Sequence, residues 1–255
     1  MTSQGNILQV SHLSKDFGGL HALVDITFDL PEGQILGLIG PNGAGKTTLF
    51  NIINGIYPAD EGTVIFRQED VTRMKPYHLA RRGLARTHQI VRPLSDLTVR
   101  ENVMVGACFG RQAHSLRTST KIANEVLEFV GLASRADQLA GHLNVGQKKR
   151  LELVRALAAQ PYLLLLDEVL AGLNSAEITP MAETIQEIRK QGITIIMIEH
   201  VMRAVMGVSD RVIVLNQGQQ IAEGTPQEIA ANPHVIEAYL GDARLAEQLS
   251  QVQER

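Results

Sequence analysis

Gly40-Pro41-Asn42-Gly43-Ala44-Gly45-Lys46-Thr47-Thr48 has the spacing G-x-x-x-x-G-K-[ST] of a loop that cradles phosphate. Side chains in such a turn would block the approach. Glycines leave the backbone N–H groups free to point at phosphate oxygens. Lys46 then reaches the β and γ phosphates, and the Thr47 hydroxyl is placed to ligate Mg²⁺. Upstream, residues 34–39 read as a buried strand entering the loop. Downstream, residues 46–56 read as a helix with Leu49, Phe50, Ile52, Ile53 and Ile56 on its apolar face. Strand, loop and helix in this order aim a helix N-terminus at the phosphates. They predict an α/β fold with a phosphate-loop core.

Working outward toward the N-terminus, residues 7–10 read as an edge strand and residues 14–19 as a turn. Val24, Ile26, Phe28 and Leu30 alternate with Asp25, Thr27 and Asp29, the pattern of a half-buried strand. An antiparallel pair is therefore expected ahead of the nucleotide core. Phe17, beside a glycine pair, is placed either to stack on adenine or to anchor the first hairpin. Beyond the loop helix, residues 62–66 read as a strand and 76–85 as a helix. Gln89 follows on a loop able to meet a γ-phosphate. Residues 92–142 read differently, with helical pieces at 99–105, 122–130 and 132–139 and a polar loop at 111–120. The expectation is an α-helical subdomain, about 92–160, inserted in the α/β core.

Leu143-Asn144-Val145-Gly146-Gln147 precedes a helix at 148–159. Asn144 and Gly146 at its start suit either an anion site or an ordinary N-cap. Leu163-Leu164-Leu165-Leu166 reads as a strand buried on both faces. Asp167 and Glu168 emerge at its carboxyl end, where open α/β sheets bind ligands. Asp167 is placed to hold Mg²⁺, and Glu168 to polarise an attacking water. Ala171-Gly172-Leu173-Asn174 is a loop before a helix at 178–190. Another buried strand, 193–198, ends in Glu199-His200 on the same edge as Asp167. Residues 212–215 and 219–222 flank a hairpin turn, and Thr225-Pro226-Gln227-Glu228 is a capping box. Residues 244–255 read as a polar tail.

Composition narrows the function. The chain has 255 residues, is 44% apolar and carries a net charge of −3, whereas a nucleic-acid-binding domain is usually strongly basic. With 4% aromatics and no Trp, a base-stacking platform is not expected. The single cysteine, Cys108, excludes an internal disulfide and suits a reducing compartment. No apolar run reaches the length of a membrane span, and the N-terminus lacks the pattern of a secretion signal. A cytoplasmic chain is expected, with any membrane contact made through a partner.

GPNGAGKTT, a loop Gln, LNVGQ, LLLLDE, AGLN and a strand-end His, in this order, resemble the nucleotide-binding subunit of ABC transporters over about the whole chain. The resemblance implies an ATPase domain over 1–243 that hydrolyses ATP with Mg²⁺ in a head-to-tail pair. Each ATP would lie between the phosphate loop of one subunit and the signature loop of the other. Phe17 would stack on adenine. Gly40, Pro41, Asn42, Gly43, Ala44, Gly45, Lys46, Thr47 and Thr48 would bind the phosphates. Thr47, Gln89 and Asp167 would serve the metal. Glu168 would be the general base, with His200, Gln89 and Lys46 as its catalytic partners. Asn144, Val145, Gly146 and Gln147 would face the partner's γ-phosphate, and Asn174 the dimer loop. Asn144 stands where the family usually has Ser, Val169 where it has Pro, and Asn174 where it often has Asp.

Phe17-Gly18-Gly19-Leu20 with Ala22, Arg86-Thr87-x-Gln89, the 97–106 stretch, Ile198-Glu199-His200 and Ala238-Tyr239-Leu240-Gly241 resemble the branched-chain amino acid importer branch; His88 stands where that branch usually carries Phe. The branch implies a sister ATPase, two membrane permeases and a periplasmic solute-binding protein, at the cytoplasmic face of the inner membrane. A ribosome- or DNA-directed ABC ATPase is the alternative. Such proteins usually carry tandem ATPase domains or long coiled coils, and this chain has neither pattern. A phosphate-loop kinase or GTPase would leave LNVGQ without a role.

Overall fold

The computed structural model describes residues 5–89 and 91–239. The expected tail at 244–255, and Leu240 and Gly241, lie outside the described residues.

The chain opens with β1 (Asn6–Phe17), β2 (Leu20–Pro31) and β3 (Ile35–Ile39), then α1 (Lys46–Ile53), β4 (Glu61–Phe66) and β5 (Glu69–Asp70). Next come α2 (Pro76–Arg82), β6 (Leu84–Arg86), α3 (Val99–Phe109), α4 (Leu116–Phe129), α5 (Val145–Ala158) and β7 (Leu163–Asp167). The remainder is α6 (Ser175–Lys190), β8 (Thr194–Ile198), α7 (Met202–Val208), β9 (Arg211–Asn216), β10 (Gln219–Gly224), α8 (Pro226–Ala230) and α9 (Pro233–Tyr239).

The strands form an antiparallel sheet ordered β2-β1-β4-β5 and a six-stranded sheet ordered β10-β9-β3-β8-β7-β6. In the larger sheet β9, β3, β8, β7 and β6 run parallel, and β10 is antiparallel at the edge. Strands buried on both faces need apolar side chains at every position, and β3, β7 and β8 are buried throughout. Alternation sends Leu163 and Leu165 into a core shared with the antiparallel sheet and α1. Leu164 and Leu166 enter a second core with α6 and α7. A third core joins α3, α4 and α5, with Val103, Leu127 and Leu151 among its members. α5 also places Leu153 and Leu157 in the second core, so it bridges the helical region to the sheet.

Several expectations are corrected. β1 lies inside its sheet, not at an edge, and runs on to Phe17, so the turn shrinks to Gly18-Gly19. α1 ends at Ile53, because Asn54 caps it and Gly55 takes φ 71°. Ile56 is therefore outside the helix and exposed. The expected polar loop at 111–120 is helical from Leu116, where the Ser115 side chain caps α4. Residues 132–139 hold only a single 3₁₀ turn (Ala133–Arg135).

Candidate active site

The ends of β3, β6, β7 and β8 meet at one edge of the sheet, where strand order reverses and doubly wound folds bind ligands. The phosphate loop leaves β3. Gly40 takes φ 150° with the Leu215 carbonyl against its α-carbon, and Gly45 takes φ 100° close to the Ala22 carbonyl. A side chain at either position would collide with backbone. Gly45 caps α1, so the helix N-terminus opens on the loop.

A cleft of about 690 Å³ brings together Phe17, the loop from Asn42 to Thr48, and Gln89, Glu168 and His200. Phe17 is 41% exposed and packs edge-on against Tyr57 at 5.3 Å between centroids. An exposed ring at the mouth of the cleft fits the stacking alternative better than the core anchor. The Lys46 ammonium donates to the carbonyl oxygens of Gly40 (2.7 Å) and Pro41 (2.8 Å). Burial lowers its pKa to about 8, against the opposing pull of Glu168 and Asp167.

Glu168 sits just past β7 with φ 50°, a conformation L residues adopt sparingly and hold only when their surroundings fix it. Its N–H donates to the Ile198 carbonyl at 2.9 Å. Its carboxylate is held from both sides. Gln89 Nε2 donates to Oε2 at 2.7 Å, and His200 Nε2 lies 2.8 Å from Oε1. Two side chains from two other strand ends, distant in sequence, thus converge on the Glu168 carboxylate in the cleft that the phosphate loop lines.

Asp167 is placed otherwise. Arg86 donates to its Oδ2 at 2.7 Å, both side chains are almost fully buried, and the Asp167 N–H donates to Thr87 Oγ1 at 3.0 Å. Arg86 also donates to Asn51 Oδ1 at 2.6 Å. Asp167 thus lies beneath the cleft. Among the described residues no group of three or more His, Cys, Asp or Glu could hold a metal. Thr47 and Gln89 line the cleft itself.

Asn144 caps α5: its Oδ1 accepts from the Gln147 N–H at 2.8 Å, and Gln147 Oε1 accepts from the Asn144 N–H at 3.1 Å. Asn174 caps α6 in the same reciprocal way with Glu177. Both residues are exposed, and neither lines the cleft of its own chain. The two caps are neighbours, since a Cβ on Gly146 would sit 2.5 Å from Glu177 Oε1.

Two participants were not singled out from sequence. Arg86 was visible only as part of Arg-Thr-x-Gln, with no role attached. Lys149, a buried cation on α5, donates to the backbone carbonyls of Glu168 (2.6 Å) and Gln89 (3.3 Å). The signal for Lys149 was a lysine two residues before the apolar stripe, which an exposed helical lysine would share.

The fold and cleft define a phosphate-loop nucleotide-binding protein. Residues 23–171, more than half of the chain, match the family model described as ABC transporter, and residues 219–244 match the one for the branched-chain amino acid ATP-binding cassette transporter. The LivG high-affinity branched-chain amino acid transport ATP-binding protein of Salmonella typhimurium is 42% identical over 93% of this chain and 98% of the relative. BraF of Pseudomonas aeruginosa is 39% identical with the same coverage. An ATP-binding cassette of an ABC transporter, solved in its ADP conformation, superposes with a TM-score of 0.84 at 33% identity, covering 93% of this chain and all of that one. The chain belongs to the ABC transporter family, as an ATP-binding, ATP-hydrolysing cassette coupled to transport. No helix among the described residues is long and apolar enough to cross a membrane.

Proposed function

We propose that this cassette powers an importer for branched-chain amino acids or a related small solute. It works at the cytoplasmic face of the membrane with a sister ATPase, two permeases and, indirectly, a periplasmic solute-binding protein. The C-terminal match and the LivG and BraF relatives support the substrate class. The observation that carries the chemistry is the Glu168 carboxylate, held between Gln89 and His200 opposite the phosphate loop.

In this reading the loop N–H groups and Lys46 bind the β and γ phosphates, releasing Lys46 from its carbonyls. Thr47 and Gln89 in the cleft, with Asp167 beneath them, would hold Mg²⁺, which would supply positive charge to the phosphates. Glu168 takes a proton from the attacking water, and His200 orients Glu168 and meets the γ-phosphate. Asn144, Val145, Gly146 and Gln147 complete the partner's site, and Asn174 lies at the dimer loop.

A positioned general base contributes about 10²–10⁴-fold to rate. Glu168→Gln should lower kcat by that order, leave ATP binding intact and form an ATP-dependent dimer. Tagged Glu168→Gln with ATP should also bring two permeases and a second ATPase out of detergent-solubilised membranes. Ribosomal or DNA-repair proteins in their place would overturn the transport assignment, and normal turnover would remove Glu168 from its role.

A further inference from the structure

The site described above accounts for Gln89, Glu168 and His200 but leaves an acidic side chain between them and the dimer loop. Glu199 immediately precedes His200 and is 1% exposed. A carboxylate that deep is costly unless its oxygens are satisfied. One of them is: Oε1 accepts from the Leu170 N–H at 2.7 Å. Oε2 has no hydrogen-bond partner among the described residues. Leu170 lies two residues past Glu168, at the start of the stretch that runs to Asn174. Val169 and Leu170 are themselves buried in the second core. The charged neighbours are Glu168 from the end of β7 and Lys149 from α5.

Nothing in the hydrolytic chemistry uses Glu199, yet its contact joins the two segments that chemistry depends on. The end of β8 carries His200. The loop after β7 carries Glu168 at its root and Asn174 at its tip. The same strand ends are also tied by backbone pairing as far as the Glu168 N–H to Ile198 carbonyl bond and by the His200–Glu168 side-chain contact, both of which end at Glu168. The Glu199–Leu170 bond extends the connection one step into the loop.

We infer that Glu199 is a positioning residue, whose carboxylate oxygen locks the loop from Val169 to Asn174 to the strand end bearing His200, so that His200, Glu168 and the dimer loop keep one register. The inference rests on the ATPase reading of this cleft. It needs hydrogen-bond acceptance at Oε1, not charge. Glutamine, with an amide oxygen in the same place, should therefore substitute, while leucine, of similar size with no acceptor, should not.

The test is steady-state ATP hydrolysis and ATP binding by the full chain as parent, Glu199→Gln, Glu199→Leu and Glu168→Gln. Loss of one buried hydrogen bond from a catalytic geometry predicts a fall in kcat of about tenfold for Glu199→Leu. KM and Kd for ATP should stay near parental values, because the phosphate loop is untouched. Glu199→Gln should recover most of the lost kcat. A merely structural role would lower the folded fraction of Glu199→Leu without this split between kcat and KM, and active-site titration with ATP corrects for it. Parental kcat in Glu199→Leu would overturn the inference, as would equal losses in the Gln and Leu variants. If Glu199→Leu does not fold, failure of Glu199→Gln to keep parental kcat overturns it instead. Failure of the underlying ATPase reading shows separately, as normal turnover by Glu168→Gln.

Discussion

Lys46 is the residue whose titration the cleft makes accessible. In the free protein burial holds its pKa at about 8, and bound phosphates favour the charged form. ATP affinity should therefore be highest below about pH 8 and fall as pH rises through that value, by up to about tenfold per pH unit. Binding isotherms between pH 7 and 9.5 read this directly. Lys46→Ala should bind weakly with a flat profile, and a parental profile equally flat would remove Lys46 from the phosphate contact. Glu199 is shifted in the opposite direction, and its shift bears on folding. Its pKa is raised from 4.5 to about 7, chiefly by burial. The folded protein holds this proton more tightly than the unfolded chain, so the group's contribution to stability falls as pH rises from about 4.5 to about 7. Glu199→Gln should lose that dependence. Its Tm relative to the parent should be higher at pH 8 than at pH 5, measured by calorimetry at both.

Among the elements, the helices next to the cleft depend on a few polar anchors. Asn102 on α3 is fully buried. Its Oδ1 accepts from the Leu94 N–H at 2.8 Å, and its Nδ2 donates to the carbonyls of Leu94 (3.0 Å) and Thr98 (2.9 Å). It organises the backbone of residues 94–98 ahead of α3. Asn102→Ala removes the acceptor of the Leu94 N–H, while the Leu94 and Thr98 carbonyls keep their bonds from the Leu97 and Asn102 N–H groups, so the expected loss is about 1–3 kcal/mol. Urea unfolding should show the loss, and hydrogen exchange should quicken at residues 94–98. The elements also show what could be read from sequence. β3, β7 and β8 were plain, because a strand buried on both faces announces itself as an unbroken apolar run. The reach of α4 was not. Leu116 begins it behind Ser115 in a stretch of polar residues, where a helix cap and a loop are built from the same side chains. Glu168, His200 and the phosphate loop were legible because strand ends in such sheets share an edge. Arg86 and Lys149 were not, because each acts on a residue about 20 or more positions away in sequence (Arg86 on Asp167, 81 away; Lys149 on Glu168, 19 away), and only the fold brings them together.

For the whole molecule the defining fact is that its own cleft has no signature segment in its lining. Asn144 and Asn174 are exposed caps on neighbouring helix starts, and in the proposed reading they complete a site on a partner subunit. A head-to-tail pair should thus appear with ATP and disappear after hydrolysis, which light scattering on Glu168→Gln and on the parent would separate. The strand order has a consequence of another kind. The Ile35 N–H donates to Asp210 Oδ2 at 2.8 Å, 175 positions apart, and β3 is flanked by β8 and β9. The phosphate loop thus leaves a ribosome early but hangs on a strand whose two neighbours are made almost last. At about 5–20 residues per second of synthesis, the nascent chain carries this loop unseated for several seconds or more. A chain cut short before β9 would hold the whole phosphate loop and yet pair its strand on one side only, with β8.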